Sequence, residues 1–591
     1  MPKALVHFDR RRWPEEAAAL DGLEAADLLR VGIDLADAAR GLGDIVNARR
    51  RGQPVAVLMV YNDPLEALLF TVHSLLAQNP DPDARAIQAK ALREQKLTLK
   101  GLPLEEHAKP SHAAACAAKF AVLMADLVLV ATPADKERVE LLAGVPVRRW
   151  ALLPDPAPFA AQPGTGLTVY APSIDAAHVQ SIATPLRARG MQTQAISAAN
   201  AGEAIAGSTV VIPEFWRGYR ARALAASGLR VVAPHQSGAD AFFYSVETYS
   251  ATDLSSLEDA VDVVSSRGGS APKLHVERNA ISAALAADRP AATRGDLVSI
   301  VVRSVDRPQH LRRALASIAA QTYENVEIVL VNNGRYDIPP EVLRAARSRR
   351  VVHIRPPQPV KLGEALNLGM RAATGEFVGY LDDDDILYPD HCARSIALLE
   401  TTGADFCYSK SVGEYARIDT LGAKTVIGMS VYTDRPYRLD ALFEGNLTTI
   451  HSVVHRRALF ERFGYTDESL PVTEDWELWL RMASGGARFV HLDRATCEYS
   501  WRDDANTPNT STQQLASFAT AYAIILERYR EKVADRPETI EREQENTLAH
   551  LRRRAEAVAA DPSMGVTLTM QDVLMFAAEV EGLIDDPFRP A

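Results

Sequence analysis

The chain has 591 residues, 47% of them hydrophobic, and a formal net charge of −11. That length predicts three or four domains with ordinary cores, and an acidic balance with no long basic block excludes nucleic acid as the main partner. No apolar run reaches the ~20 residues that span a bilayer, and the N-terminus lacks the uninterrupted apolar core of a signal peptide. The four cysteines, Cys116, Cys392, Cys407 and Cys497, show neither CxxC nor zinc-like spacing, which argues against a disulfide scaffold or structural zinc and fits a reducing, cytoplasmic setting.

Residues 1–50 read as a helical segment, with apolar positions at Leu20, Leu23, Ala26, Leu28 and Leu29. Val55 to Tyr61 is an apolar strand closed by Asn62, Asp63 and Pro64, followed by a helix from Leu65 to Leu76. Leu127 to Ala131 and Val147 to Leu153 read as further strands, with a helix to Leu142 between them. Past Gly166 the alternation resumes: strands Leu167 to Ala171, Val210 to Pro213 and Leu229 to Ala233, helices His178 to Arg189 and Tyr219 to Ser227. Strands alternating with helices predict parallel sheets covered on both faces, here two Rossmann-like lobes at 51–160 and 161–290. Residues 264–296 are linker-like.

A new α/β domain is expected over 291–510. Leu297 to Val302 is a strand running into Arg303-Ser304-Val305-Asp306-Arg307-Pro308, a helix covers Gln309 to Gln321, and Val326 to Val331 is a strand running into Asn332-Asn333-Gly334. Turn-forming polar residues thus collect at the carboxyl ends of strands, the edge where open α/β sheets bind ligands. Lys361 precedes the helical stretch that holds Asn367. Next, the apolar run Phe377 to Leu381 stops at four consecutive aspartates, Asp382 to Asp385. A buried strand therefore delivers carboxylates to that edge, a pattern suited to a hard divalent cation also bound by a substrate's phosphates. Residues 511–591 are helical in pattern with mixed charge, suited to docking on the preceding domain, to self-association or, least of all, to a membrane surface.

Two resemblances sharpen this reading. ADLVLVATPADKERVELLAGVPVRRWALLPDP and VVIPEFWRGYRARALAASGLRVVAP resemble the end of the first lobe and the donor segment of the second lobe of GT-B glycosyltransferases. Where that family carries a pair of glutamates, Arg217, Gly218, Tyr219 and Arg220 stand here, and no glutamate occurs near Leu224 and Ala225. The resemblance therefore implies a degenerate GT-B-like scaffold or acceptor-binding module, in which Arg217 and Arg220 are candidate phosphate contacts.

The second resemblance is to glycosyltransferase family 2, inverting enzymes of GT-A fold. It rests on VSIVVRSVDRPQHLRRALASIAAQTYENVEIVLVNNG, KLGEALNLGMRAATGEFVGYLDDDDILYPDHC and SVVHRRALFERFGYTDESLPVTEDWELWLRMA, which occur in family order over residues 297–505. It implies a GT-A nucleotide-diphospho-sugar transferase domain. Arg303, Val305, Asp306 and Asn333 would line the nucleotide pocket, with Lys361 against the donor and Asn367 facing the same edge. Asp382 and Asp384 would hold the metal, Mn2+ or Mg2+, with Asp383 on ribose or metal and Asp385 a bystander. Asp475, in Thr473-Glu474-Asp475-Trp476, would be the catalytic base; His451 and Trp501-Arg502 fall where acceptor or diphosphate contacts are common in the family.

The implied activity is metal-dependent, inverting transfer of a sugar from a nucleotide-sugar donor to a hydroxyl on a glycan, lipid-linked saccharide or protein, as in bacterial polysaccharide biosynthesis. The rival readings are a bifunctional transferase using both halves and a non-catalytic glycan-binding or assembly protein.

Overall fold

The computed structural model describes residues 29–32, 38–58, most of 119–153 and of 161–266, residues 295–504 apart from 419–423 and 433–435, and the helices 515–533 and 538–560. The chain forms two compact units, Met1–Leu42 with Pro54–Arg289 and Gly43–Gln53 with Pro290–Ala591.

Besides a two-stranded parallel pair, Ala161–Gln162 with Ile205–Ala206, the described residues of the N-terminal unit form two larger all-parallel sheets. One runs Leu29–Gly32, Val55–Leu58, Leu127–Val130, Trp150–Leu152. The other runs Val246–Tyr249, Arg230–Pro234, Thr209–Val211, Leu167–Ala171, Thr193–Ser197. Leu29–Gly32 corrects the helical reading of residues 1–50: a four-residue strand carries too little periodicity to register, and it is fixed by pairing with Val55–Leu58. Within that stretch Ala38–Arg50 is helical as expected.

Arg220 is buried with its guanidinium over the ring of Tyr170, and Arg222 donates to the carbonyl of Ala131 at 2.8 Å while lying 3.8 Å from the ring centre of Phe242. Arg220 therefore packs an aromatic ring inside the unit. The expected helix from Leu65 to Leu76 and the expected contact Arg217 lie outside the described residues, as does the apolar stretch Val573 to Leu583.

The C-terminal unit is built on one nine-stranded sheet. Its strands are β1 (Val298–Ser304), β2 (Val326–Asn332), β3 (Arg350–Ile354), β4 (Phe377–Asp382), β5 (Ile386–Leu387), β6 (Phe406–Ile418), β7 (Lys424–Tyr432), β8 (Val453–Arg456) and β9 (Phe489–Asp504). They lie in the order β3-β2-β1-β4-β8-β6-β9-β5, with β7 paired to β6. The first four are parallel, and β8 adds antiparallel to β4.

The continuous apolar character of β1, β2 and β4 follows from cover on both faces. Period-two alternation sends Val298, Ile300 and Val302 into one core with Leu311, Leu315 and Ile318 of α1 (Pro308–Ala319). The opposite face sends Val301, Val329, Val378 and Tyr380 against Leu366 and Met370 of α2 (Leu362–Ala372). Besides the short helices Pro340–Leu343 and Leu459–Phe463, the described residues form α3 (His391–Thr402), α4 (Leu439–Glu444), α5 (Glu474–Ser484), α6 (Leu515–Val533) and α7 (Glu538–Ala560). Trp476 and Trp479 of α5 fill that second core, which Tyr522, Ile525 and Tyr529 of α6 and Ile540 of α7 extend. The helical extension thus docks on the α/β sheet, with Trp476 stacked on Tyr522 at 4.9 Å. No described helix is long and apolar enough to cross a membrane.

Candidate active site

Strand register brings the site together. Arg303 pairs with Asp382 across β1 and β4, and Ser304 pairs with Asn332 across β1 and β2, so the three strands end at one level on the carboxyl edge. Arg303 donates from Nε and Nη2 to both oxygens of Asp382 at 2.9 and 3.0 Å. Its third nitrogen, Nη1, reaches Glu474 at the start of α5 at 2.7 Å. One planar fork thereby spans the two acidic motifs, a geometry that a lysine cannot reproduce.

The four aspartates turn four ways. Asp382 faces Arg303 and keeps 29% of its side chain exposed. Asp383 is fully buried, accepting from Ser304 Oγ at 2.9 Å and the Val305 amide at 3.1 Å, with Arg307 against it. Burial, offset in part by Arg307 and reinforced by Asp384, pushes its carboxyl up to about 7. Asp384 meets Arg307 at 2.9 Å and also Arg502; burial works against its charge, but the two guanidinium groups outweigh it and hold the carboxyl well below the usual range. Asp385 accepts from the Ser500 amide at 2.8 Å and lies 2.8 Å from His451 Nδ1, whose Nε2 is 2.8 Å from Ser411 Oγ. Burial raises the Asp385 carboxyl to about 6 against the opposing pull of His451, while Asp385 in turn raises the imidazole well above its usual value in spite of its burial. Three arginines and one histidine thus compensate the run, which is what allows it to sit so deep.

Three expected roles change here. Asp383, read as a ribose or metal contact, faces inward because its predecessor on β4 faces Arg303 and successive side chains alternate. Asp385, read as a bystander, ties the turn after β4 to β9 through Ser500. His451, read as an acceptor or diphosphate contact, is 1% exposed with both ring nitrogens turned to protein groups.

Asp475 sits in the first turn of α5 beside Glu474. Its Oδ1 accepts from the Trp476 amide at 2.7 Å and its Oδ2 from Asn446 Nδ2 at 3.1 Å. Burial, with the neighbouring charge of Glu474, raises this carboxyl to about 7. The preceding Thr473 has φ +58°, a left-handed conformation that costs a β-branched residue roughly 1–3 kcal/mol and that clusters at functional sites. Trp476 Nε1 donates to the Leu442 carbonyl at 2.8 Å, so the indole fixes the helix end that presents Asp475.

In the turn between β1 and α1, Val305 is exposed and Asp306 adopts φ +50° with its carboxylate accepting from the Tyr336 amide at 3.1 Å. Gly334 is required there: a Cβ would lie 2.3 Å from Asp306 Oδ1 and 2.8 Å from the Asp306 amide nitrogen. Asn333, expected against the base, exchanges two bonds with the Val360 backbone, 2.9 Å to its carbonyl and 2.8 Å from its amide. Lys361 is exposed just before α2, its Nζ 3.4 Å from the Glu468 carbonyl. Asn367, expected at the same edge, is buried, its amide group bonded to Thr466 and Glu468, so it anchors that loop to α2.

Arg307, Glu474 and Asn446 are the site residues that sequence reasoning missed. Glu474 alone had a local signal, its place beside Asp475; Arg307 and Asn446 are brought in only by the fold.

Residues 299–461 match the family model described as glycosyl transferase family 2. An uncharacterized glycosyltransferase of Rickettsia typhi is 28% identical over 242 residues, 40% of this chain and 73% of that protein. The putative glycosyltransferase EpsH of Bacillus subtilis is 30% identical over 28% of this chain and 48% of its own length. Among solved structures, Staphylococcus aureus TarS 1-349 in complex with UDP-GlcNAc aligns at 18% identity over 44% of this chain and 72% of that one, with a TM-score of 0.32.

Proposed function

We propose that the C-terminal unit, whose residues 299–461 match the glycosyl transferase family 2 model and which is similar to glycosyltransferases, transfers a sugar, with inversion, from a nucleotide-sugar donor to a hydroxyl of a glycan, lipid-linked saccharide or protein. The observation that carries this reading is the Arg303 fork, which places Asp382 and Asp475's neighbour Glu474 on one guanidinium. A donor-side carboxylate and a base-side helix are thereby fixed to one edge of one sheet.

Direct displacement at an anomeric carbon needs a base on the far side of the sugar from the leaving diphosphate. Asp475 is that base in this reading: the Trp476 amide and Asn446 orient its carboxylate, and its raised proton affinity suits it to accept the proton of an acceptor hydroxyl. No covalent intermediate is required. Val305 and Asp306 border the nucleoside, and Lys361 lies free enough in solvent to reach a donor phosphate.

Among the described residues no group of three or more acidic, histidine or cysteine side chains is arranged to hold a metal alone. In this reading Asp382 and Asp384, held by Arg303 and by Arg307 and Arg502, would supply one or two carboxylates to a cation of the Mg2+ or Mn2+ kind whose coordination substrate phosphates complete. Such an ion would neutralise charge building on the departing diphosphate. Arg307 and Arg502, both on Asp384, keep positive charge at the same place. The buried free thiols of Cys392, Cys407 and Cys497 support a cytoplasmic setting. In the N-terminal unit, the packing of Arg220 on Tyr170 supports a scaffold or acceptor-binding role over a second transferase site.

The test is binding and turnover across a panel of nucleotide sugars with Mn2+ or Mg2+. Metal-dependent binding of one donor is expected, lost in Asp384→Ala and retained without turnover in Asp475→Asn. Donor binding that survives Asp384→Ala would place the chemistry elsewhere.

A further inference from the structure

A segment nearly 250 positions upstream of β1 belongs physically to the C-terminal unit. Gly43–Gln53 clusters with Pro290–Ala591, and its Arg50 side chain is 1% exposed. Arg50 Nε and Nη2 each reach a different oxygen of Glu498 at 2.7 Å, and Nη2 also reaches Glu414 at 2.8 Å. Both glutamates are buried, at 3% and 2% exposure. Two residues on, Gly52 adopts φ +68° with its Cα against Pro389, where a Cβ would stand 3.0 Å from the proline ring.

These contacts lead to the Asp run. Glu498 lies on β9 opposite Ile386 of β5, the strand that directly follows Asp385. Tyr388 donates its hydroxyl to Glu498 at 2.9 Å and its amide to the Thr496 carbonyl at 2.8 Å. The same strand supplies Ser500 to Asp385 and Arg502 to Asp384. Two buried carboxylates on neighbouring strands would repel and draw in water without a cation between them. Arg313, 3.8 Å from Glu498, is too distant to replace a bidentate fork.

We infer that Arg50 is a positioning residue of the C-terminal site: the segment Gly43–Gln53, supplied from the N-terminal part of the chain, clamps β9 to β6 and, through the Tyr388 hydroxyl on Glu498, holds the segment that follows β5, and thereby sets the turn that presents Asp384 and Asp385. This builds on the reading of the Asp run as the donor edge, but its primary test does not depend on that reading.

The experiment is hydrogen exchange on the full chain, wild type against Arg50→Lys, which keeps the charge and loses the fork. Amides of residues 385–388 are expected to exchange at least tenfold faster, with those of β2 unchanged. Unchanged exchange at 385–388, or equal acceleration throughout the C-terminal unit, overturns the inference. Should Arg50→Lys not fold, the charge-balanced Arg50→Met/Glu414→Gln/Glu498→Gln chain takes its place; local acceleration is again expected, and wild-type exchange there again overturns it. In the variant that folds, the apparent Kd for the nucleotide sugar that wild type binds should rise at least fivefold while the thermal midpoint stays within a few degrees; an unchanged Kd also overturns the positioning role. If wild type binds no nucleotide sugar, the transferase reading fails while the exchange result still decides Arg50.

Discussion

Arg303 Nη1 and Glu474 Oε1 lie 2.7 Å apart across 171 positions of sequence, and the same guanidinium holds both oxygens of Asp382. The pair joins the carboxyl end of a central strand to the first turn of the helix that bears Asp475. Its geometry therefore fixes the spacing between Asp382 and the helix end that carries Asp475.

Arg303→Lys is expected to lower kcat/KM by roughly a hundredfold or more, because an ammonium cannot serve Asp382 and Glu474 together and truncating one partner of a buried, hydrogen-bonded charge pair costs about 3–5 kcal/mol. Arg303→Met combined with Glu474→Gln should recover part of the thermal stability lost in Arg303→Met, since the buried Glu474 charge is gone and Asp382, 29% exposed, keeps access to water, yet should not recover transfer. Recovery of both would reduce the fork to a stabilising contact.

Asp475 sets a pH dependence. With its carboxyl raised to about 7 by burial and by Glu474, the active base is the ionised form, so kcat/KM should climb about tenfold per pH unit below 7 and level off above it. An unperturbed aspartate would place that limb near 4. Stability runs in the opposite sense: a carboxyl whose folded value is raised contributes stability that is present at low pH and lost as pH rises through about 7. The midpoint difference, Asp475→Asn minus wild type, should therefore become more positive between pH 5.5 and 8.5, by roughly 2–4 °C for each kcal/mol. A flat difference would mean that Asp475 is not buried enough to matter.

Asn333→Asp tests whether this side chain reads the base. The amide donates to the Val360 carbonyl at 2.9 Å and accepts from its amide at 2.8 Å. A carboxylate can satisfy only the second bond and would face the carbonyl with negative charge, a loss of about 1–3 kcal/mol. The expected outcome is a lower thermal midpoint with the ranking of nucleotide bases unchanged. A reordered ranking would return Asn333 to the base pocket.

The sheet was legible where physics is local. Runs such as VSIVVRS, VEIVLVN and FVGYLD are covered on both faces and carry no other reading than buried parallel strands. The Asp run and Asp475 were legible as motifs, but the direction of each aspartate was not, because it depends on alternation along β4 and on the turn closed by the Asp385 amide on the Asp382 carbonyl at 3.2 Å. Arg307 and Arg50 left no trace because the fold alone supplies their partners, and Arg502, read as an acceptor or diphosphate contact, meets Asp384 because sheet order brings β9 beside both β6 and β5. Asn333 and Asn367 were assigned to the ligand edge by position along the chain, whereas both amides hold neighbouring backbone, the commoner use of a buried amide.

Gly334→Ala probes the nucleotide side without touching any charge. The new methyl would stand 2.3 Å from Asp306 Oδ1 and 2.8 Å from the Asp306 amide nitrogen. The first contact is with a side chain and is relieved by rotation; the second is with backbone held at φ +50° by the turn before α1. Movement of that turn would carry Val305, whose amide donates to Asp383 at 3.1 Å. Donor binding is accordingly expected to weaken at least tenfold, with a thermal midpoint only a few degrees lower because the strands behind the turn are unaffected. Adding Asp306→Ala removes the 2.3 Å contact but leaves the 2.8 Å one, so it should restore part of the affinity and not all of it. Full affinity in Gly334→Ala, measured by calorimetry with the donor selected from the panel, would show that the nucleoside is bound away from this turn.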